Sequence, residues 1–328
     1  VKVGITGGAG FIGTWVGEEL IRRGHEPVIF DRQGHRPDAV GGIFRVSLGD
    51  VTNWTAMSEL AAHVDGIIHL AACLGTQETI DDPEPAFITN GIGGLNFIKA
   101  CRKYDIPGVN ICVGNYWMNN SYSITKHLAE RSVIMYNKEH KTRINQVRAV
   151  NAYGPRQSVA PPYGPAKVRK ITPSMVCRAI LGEPIEIYGD GTQISDMVHV
   201  KDVARALVSA LEHAAKGNVL PMPVEVGPVK SLSVNQVARL ISCTAADLGA
   251  PKQPPIVYLP MRPGETPHDR VTANPATLKQ IGIDPESLIL FQRGIEETIR
   301  WYQAHWLPEW WERTNIVSGD TVEIPAVV

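Results

Sequence analysis

Tyr122 and Lys126, in the stretch NNSYSITKHLAE (residues 119–130), are the side chains of this sequence best suited to moving a proton. Four positions apart on a helix, they stand one above the other on a single face. A free phenol titrates at about 10, too high for a base at neutral pH. A neighbouring ammonium favours the phenolate, so the pair together can take a proton from a hydroxyl group. The same spacing also occurs by chance between surface neighbours on a helix. What decides the matter is the scaffold that the rest of the chain builds around the pair.

That scaffold reads as alternating strands and helices. VKVGIT, EPVIFD, GIFRVSLGD, GIIHLAA, GVNICVG and INQVRAVN are six strand-like runs, and helical patterns lie over residues 11–23, 85–104 and the segment carrying Tyr122. Alternation of this kind predicts an α/β fold, a Rossmann-type doubly wound parallel sheet. Residues 1–150 are expected to form a dinucleotide-binding domain. Residues 151–315, richer in proline, are expected to form a smaller α/β substrate-binding part interleaved with it, with 316–328 as a tail.

The first strand runs into Gly7-x-x-Gly10-x-x-Gly13, with Phe11 and Ile12 opening the helix that follows. Gly7 permits the tight turn, Gly10 a close approach to a pyrophosphate, and Gly13 close packing of helix on sheet. The free amides of the helix then face the phosphates. Asp31 comes 18 residues after Gly13, at the end of the second strand, where a carboxylate accepts both ribose hydroxyls. It repels a 2′-phosphate, so the expected cofactor is NAD, although Arg32 beside it is placed to attract such a phosphate.

Bulk properties narrow the rest. The 328 residues are 44% hydrophobic and 20% charged with a net charge of −1, an ordinary globular composition with no global pull toward nucleic acid or an anionic membrane. Cys73, Cys101, Cys112, Cys177 and Cys243 are odd in number, scattered and without CxxC spacing, which argues against both a disulfide framework and a metal site. A reducing, cytoplasmic setting is expected, where the glycosylation patterns at Asn53 and Asn119 carry no meaning. The chain opens on a strand-like run with no signal-peptide pattern, and no apolar run is long enough to span a membrane.

With GITGGAGFIG, HLAA and SYSITKHLAE in view, the chain resembles the extended short-chain dehydrogenase/reductase family, in its group of NAD-dependent nucleotide-sugar epimerases and dehydratases. VRAVNAYGPRQ, PIEIYGDGTQISDMVHVKDVARAL and MRPGE look like the C-terminal landmarks of that family, and the likeness runs over roughly residues 1 to 305. The resemblance implies that Asp50 and Val51, ending the third strand, contact adenine, and that Leu70, Ala71 and Ala72 line the nicotinamide ribose. Asn90 falls where the family has a buried asparagine in its long helix, with helix packing at least as good a reading as any function. The resemblance makes Tyr122 the base and Lys126 its partner, which also holds the ribose. It places Thr76, Asn151, Lys167, Arg169 and Arg262 against an anionic nucleotide-sugar substrate. It implies a homodimer paired through the helices around residues 85–104 and 121–140.

The chain departs from that pattern in three places. Where the family carries a serine or threonine to polarise the reacting oxygen, this chain has Gly114 or Asn115, and Asn115 precedes Tyr122 by only 7 positions, a much shorter loop than the resemblance predicts. Asn115 can supply an amide donor, Ser121 or Ser123 can do so on a rearranged backbone, or Asn115 simply caps the turn. Tyr116, Trp117 and Met118 read as a replacement apolar wall, as core, or as an oligomer contact. Second, residues 111–121 contain no acid, whereas the family's dehydratases and decarboxylases carry one there, so epimerisation or simple keto-reduction is left. Third, Ser195 stands where the family has an arginine, and Arg169 or Lys167 is expected to replace that phosphate contact. Trp301, Trp306, Trp310 and Trp311 read as packing against the body of the protein, or as an intersubunit surface. The expected activity is epimerisation through transient oxidation to a keto-sugar and return of the hydride. A net sugar dehydrogenase and a non-catalytic NAD-binding protein are the alternatives.

Overall fold

The computed structural model describes residues 1–33, 45–251, 253–262 and 268–318. The start of the expected third strand (Gly42–Phe44), the Pro-Gly-Glu of MRPGE and the last ten residues of the expected tail lie outside the described residues.

The first half alternates as expected: β1 (Lys2–Thr6), α1 (Phe11–Arg22), β2 (Glu26–Asp31), β3 (Arg45–Leu48), α2 (Trp54–Ala62) and β4 (Gly66–His69). After β4 come two short helical turns, α3 (Glu78–Asp81) and α4 (Glu84–Ala86), then α5 (Gly93–Tyr104), β5 (Gly108–Cys112), α6 (Ser121–His140) and β6 (Ile144–Ala149). The second half holds β7 (Asn151–Tyr153), α7 (Ile171–Leu181), β8 (Ile185–Tyr188), β9 (Ile194–Ser195), β10 (Met197–His199), α8 (Val200–Ala215) and β11 (Val224–Val226). It ends with α9 (Val234–Asp247), β12 (Ile256–Leu259), β13 (Arg270–Val271), α10 (Phe291–Trp301) and α11 (Leu307–Ser318).

Seven strands form one parallel sheet in the order β11-β6-β5-β4-β1-β2-β3. Helices cover both faces, so Val3, Ile5, Ile67, Ile68, Val109 and Val147 are all buried, as parallel strands in the middle of a sheet must be. The chain winds outward in both directions from β1 and β4. Between those two strands the loops diverge and leave a crevice at the carboxyl ends of the strands. The seventh strand comes from the second half of the chain, beside β6. The remaining strands pair in twos, β7 with β10, β8 with β12 and β9 with β13, all parallel, around a second core that includes Tyr302 and Trp306.

The expected helix over 85–104 is broken in character. Between α4 and α5 the backbone runs as a π-helical stretch, Phe87–Ile92. Two glycines follow it because neighbours press close: a Cβ on Gly93 would fall 2.6 Å from the Val51 side chain, and one on Gly94 would fall 3.1 Å from the Ala129 Cβ. The Asn90 side chain points inward from the wide turn. Its Oδ1 accepts the Cys73 N–H at 2.8 Å, and its Nδ2 donates to the Cys73 carbonyl and to Thr125 Oγ1. This favours the packing reading of Asn90, as a clasp between the loop after β4 and the helix that carries Tyr122. Trp306 is buried, donates to the Tyr163 carbonyl and stacks with Trp310, so these two pack against the body of this chain. No helix among the described residues is long and apolar enough to cross a membrane.

Candidate active site

One cavity of about 750 Å³ runs along the carboxyl edge of the sheet, from Asp31 at one end to Arg262 at the other. Its lining includes the turn residues Gly7 and Gly10 to Gly13, with Asp31, Arg32, Asp50, Val51, Leu70 to Ala72, Thr76, Asn115, Tyr122, Lys126, Asn151, Lys167, Arg169 and Arg262.

At the first end the main chain does most of the work. Gly7 has φ +70°, and a Cβ there would lie 2.7 Å from the Ala71 nitrogen. A Cβ on Gly13 would lie 2.6 Å from the Gly7 carbonyl. Both positions therefore need glycine. Gly10 is the extended N-cap of α1, no side chain caps the helix, and its first turn holds no acid, so the amides there stay open to an anion. Asp31 is held by the Ala9 N–H on Oδ2 (3.1 Å) and the Gln33 N–H on Oδ1 (3.2 Å). Arg32 lies on the lip with its side chain 69% exposed, 3.9 Å from Asp50. Asp50 and Val51 sit just past β3, which ends at Leu48, so they line the cavity from the loop and not from the strand. Behind the turn, Thr6 Oγ1 meets His69 Nδ1 at 2.8 Å, and His69 stacks on Phe97. Burial, helped by the Lys126 charge, takes His69 down to about 3, so this imidazole is a neutral brace between β1 and β4.

In the middle, Tyr122 and Lys126 occupy the first turns of α6. Asn120 caps that helix by accepting the Ser123 N–H at 2.9 Å. Burial pushes the Tyr122 hydroxyl up to about 12 and brings Lys126 down to about 8, while Cys112 and Glu130 act to hold the lysine up. The chain by itself thus keeps Tyr122 as a neutral phenol. Burial is the largest cause at both groups, since each loses solvation in its charged form.

The short loop is resolved into distinct roles. Asn115 closes a turn, accepting the Met118 N–H at 3.1 Å, and its amide bridges Met118 Sδ (2.9 Å) and Ser123 Oγ (3.5 Å). The cap of the helix itself is Asn120, and Asn115 closes the turn before it. Ser123 is fully buried behind Asn115. Of the three expected wall residues, Met118 lines the cavity. Tyr116 and Trp117 are 40% and 44% exposed, Tyr116 lying against Arg148 and His127.

The cover that the short loop does not provide comes from the segment after β4. Buried Thr79 accepts the Tyr122 N–H at 3.2 Å and donates to the Gly75 carbonyl at 2.7 Å, which staples this segment to the start of α6. Glu78, next to it, lines the cavity. Neither residue is visible in the sequence by motif, since only the fold brings residues 79 and 122 together.

At the far end the side chains hold one another. Asn151 donates to Ser195 Oγ at 2.5 Å and to the Asp196 carbonyl at 3.3 Å. Arg262 lies over the Tyr188 ring, 4.8 Å from its centre. Arg169 donates to the Tyr188 hydroxyl (2.7 Å) and the Pro161 carbonyl (3.2 Å), and lies 3.6 Å from Glu186. Lys167 is exposed on the rim. Lys170, in the same basic stretch, also lines the wall. Among the described residues no cluster of three or more His, Cys, Asp or Glu is arranged to hold a metal.

Comparison with known proteins agrees with this architecture. The profile of the NAD dependent epimerase/dehydratase family matches residues 3–113 and 110–222. The chain belongs to the NAD-dependent epimerase/dehydratase family. NAD is its cofactor, and the uncapped α1 N-terminus, the glycines that admit no Cβ and the tethered Asp31 carboxylate fit that dinucleotide. Relatives within the epimerase/dehydratase family differ in reaction. A UDP-N-acetyl-alpha-D-glucosaminuronate decarboxylase of Bacillus cytotoxicus is 26% identical, over 72% of this chain and 77% of its own. A dTDP-glucose 4,6-dehydratase of Mycobacterium tuberculosis is 25% identical over 94% of each chain. The crystal structure of a Thermus thermophilus UDP-glucose 4-epimerase in complex with NAD superposes with a TM-score of 0.78 at 25% identity, covering 93% of this chain and all of that one.

Proposed function

We propose that this chain is a nucleotide-sugar epimerase. The observation that carries the reading is the Tyr122–Lys126 pair on the wall of a cavity whose adjoining stretch, residues 111–121, is free of acids. NAD supplies the hydride acceptance and return. Tyr122 takes the proton of the reacting sugar hydroxyl and gives it back. Lys126 supplies positive charge beside it and a donor for the ribose. The Asn115 amide faces the cavity as the polar group nearest in kind to a missing hydroxyl. Gly7, Gly10, Phe11, Ile12, Gly13, Asp31, Asp50, Val51, Leu70, Ala71 and Ala72 hold the cofactor, which assigns residues 1–150 mainly to NAD. Asn151, Arg262 and Thr76 hold the substrate, which assigns 151–315 mainly to the sugar nucleotide.

A second reading rests on Glu78. It lines the cavity beside Thr79, which bonds the Tyr122 N–H, and so brings an acid to the site from outside residues 111–121. An acid there suits elimination of water. One experiment separates the two: incubation with NAD and UDP-, dTDP- and GDP-sugars in heavy water, with products separated and weighed. A product of unchanged mass and new retention supports epimerisation. A product lighter by water that disappears in Glu78→Gln transfers the assignment to dehydration.

We also propose a homodimer. Ile88, Ile92, Leu95, Ile124 and Leu128 are large apolar side chains 37 to 50% exposed on the two packed helical segments around residues 87–104 and 121–140. A second copy of the same face covers them. Leu128→Glu with Ile92→Glu is expected to sediment as a monomer where the parent protein sediments as a dimer.

A further inference from the structure

The short loop between β5 and α6 is tied to a buried cation. Arg148, on β6, has its side chain only 8% exposed. Its guanidinium donates in three directions: to the Val113 carbonyl, where the loop begins (3.1 Å), to Glu130 on α6, one turn beyond Lys126 (2.7 Å), and to Glu225 on β11 (2.7 Å). Bonds on three sides hold the plane of the guanidinium fixed. The Tyr116 ring lies on that plane, its centre 4.3 Å from the guanidinium carbon. His127 of α6 stacks on the same ring at 5.4 Å with the planes 24° apart, and Trp117 meets it edge-on at 5.2 Å. Tyr116 is 40% exposed, yet its ring has a cation and two aromatic neighbours. Asn115 stands immediately before it. The bonds of Asn115 run mostly to Met118 within the loop itself, with a longer one from Ser123 Oγ at 3.5 Å. Val113 before it and Tyr116 after it both rest on Arg148.

We propose that Tyr116 is a positioning residue, which sets the Asn115 amide on the cavity wall by docking its ring on the Arg148 guanidinium. A long loop holds its shape through many contacts of its own. This one borrows its shape from a side chain of the sheet, through a carbonyl at one end and an aromatic ring in the middle. The proposal rests on the epimerase reading above, in which the Asn115 amide faces the cavity in place of a missing hydroxyl, and says what holds that amide still.

The test uses the full chain with NAD bound. Tyr116→Leu removes the ring from a partly exposed site and leaves the Arg148 ion pairs in place, so the fold should stand, and the melting temperature checks this. Amide hydrogen exchange over residues 113–120, read by mass spectrometry, needs no substrate. It is expected to rise in Tyr116→Leu and to return toward the parent in Tyr116→Phe. With the sugar nucleotide turned over in the heavy-water experiment, Tyr116→Leu should lower kcat about thirtyfold with KM little changed, as a misplaced group does. Tyr116→Phe, which keeps the ring, should recover most of that loss. Asn115→Ala should cost about as much alone, and adding Tyr116→Leu to it should cost little more, because the two act as one unit. Unchanged exchange in Tyr116→Leu overturns the proposal whatever the reaction is. Raised exchange with kcat intact also overturns it, since the ring then orders a loop that positions nothing. So does a double variant in which the two losses multiply. If the parent protein turns over no sugar nucleotide, the epimerase reading fails, and the exchange over 113–120 still decides whether Tyr116 holds the loop.

Discussion

The two ends of the cavity are built on different physical principles. The cofactor end is made of main chain: open amides of α1, two glycines without room for a Cβ, and one carboxylate tethered by backbone N–H groups. The substrate end is made of side chains leaning on side chains: Arg169 on Tyr188, Tyr188 under Arg262, Asn151 on Ser195. A main-chain site is as rigid as the sheet behind it and tolerates almost no substitution. A side-chain site can exchange one polar group for another, and so can change its substrate without disturbing the fold. This is a physical reason for relatives of similar identity to differ in reaction.

Tyr122 belongs to neither end, and removing its hydroxyl should separate binding from turnover more completely than any other change. Tyr122→Phe is expected to lower kcat by about a thousandfold. NAD and nucleoside diphosphate affinities, read by fluorescence and calorimetry, should stay near those of the parent. Full activity in this variant would remove Tyr122 from the chemistry and favour a binding protein over an enzyme.

The next effect tests the rigidity of the main-chain end. Gly13→Val places a branched side chain where even a Cβ meets the Gly7 carbonyl at 2.6 Å. Overpacking of this kind costs about 1–3 kcal/mol, and here it pushes α1 away from the turn it must present. NAD affinity should fall by roughly a hundredfold while nucleoside diphosphate binding at the other end survives. Equal loss at both ends would show that the two do not act as separate constructions.

The same contrast explains what could be read from the sequence. The strands, the glycine turn, Asp31 and the Tyr122–Lys126 pair follow from local rules: alternation, backbone freedom at Gly7 and Gly13, and helical spacing. The π-helical stretch at Phe87–Ile92 was hidden because helical periodicity looks alike in both forms, and only the inward turn of Asn90 distinguishes them. Thr79 was hidden for another reason. Its role depends on Tyr122, a partner 43 positions away, which only the packed structure displays. Spacing shows the lysine near Tyr122 and not the depth of burial that pushes its hydroxyl up.

Thr79 joins the two constructions, and its contribution should be intermediate. Thr79→Val keeps the shape and removes the acceptor of the Tyr122 N–H, leaving a buried donor unsatisfied at a cost of about 1–3 kcal/mol. A fall in kcat of about tenfold is expected, with Thr79→Ser recovering most of it. A drop in melting temperature with kcat unchanged would make Thr79 a packing residue only.

The smallest effect should come from Arg32, although it stands next to the most telling carboxylate of the cofactor end. Its side chain is 69% exposed and its ion pair with Asp50 spans 3.9 Å, a geometry in which solvent screens most of the attraction. Arg32→Ala should change stability by less than ~0.5 kcal/mol and NAD affinity by no more than about twofold. Asp31, held by two backbone N–H groups, would still receive the ribose and still repel a 2′-phosphate. The informative ligand is therefore NADP. If the parent protein binds NADP appreciably and Arg32→Ala abolishes that binding, the arginine serves a phosphate and the Asp31 argument for NAD is too strong. If NADP is bound poorly by both, specificity at this end rests on a carboxylate fixed by main chain, and the lip residue beside it is solvated surface.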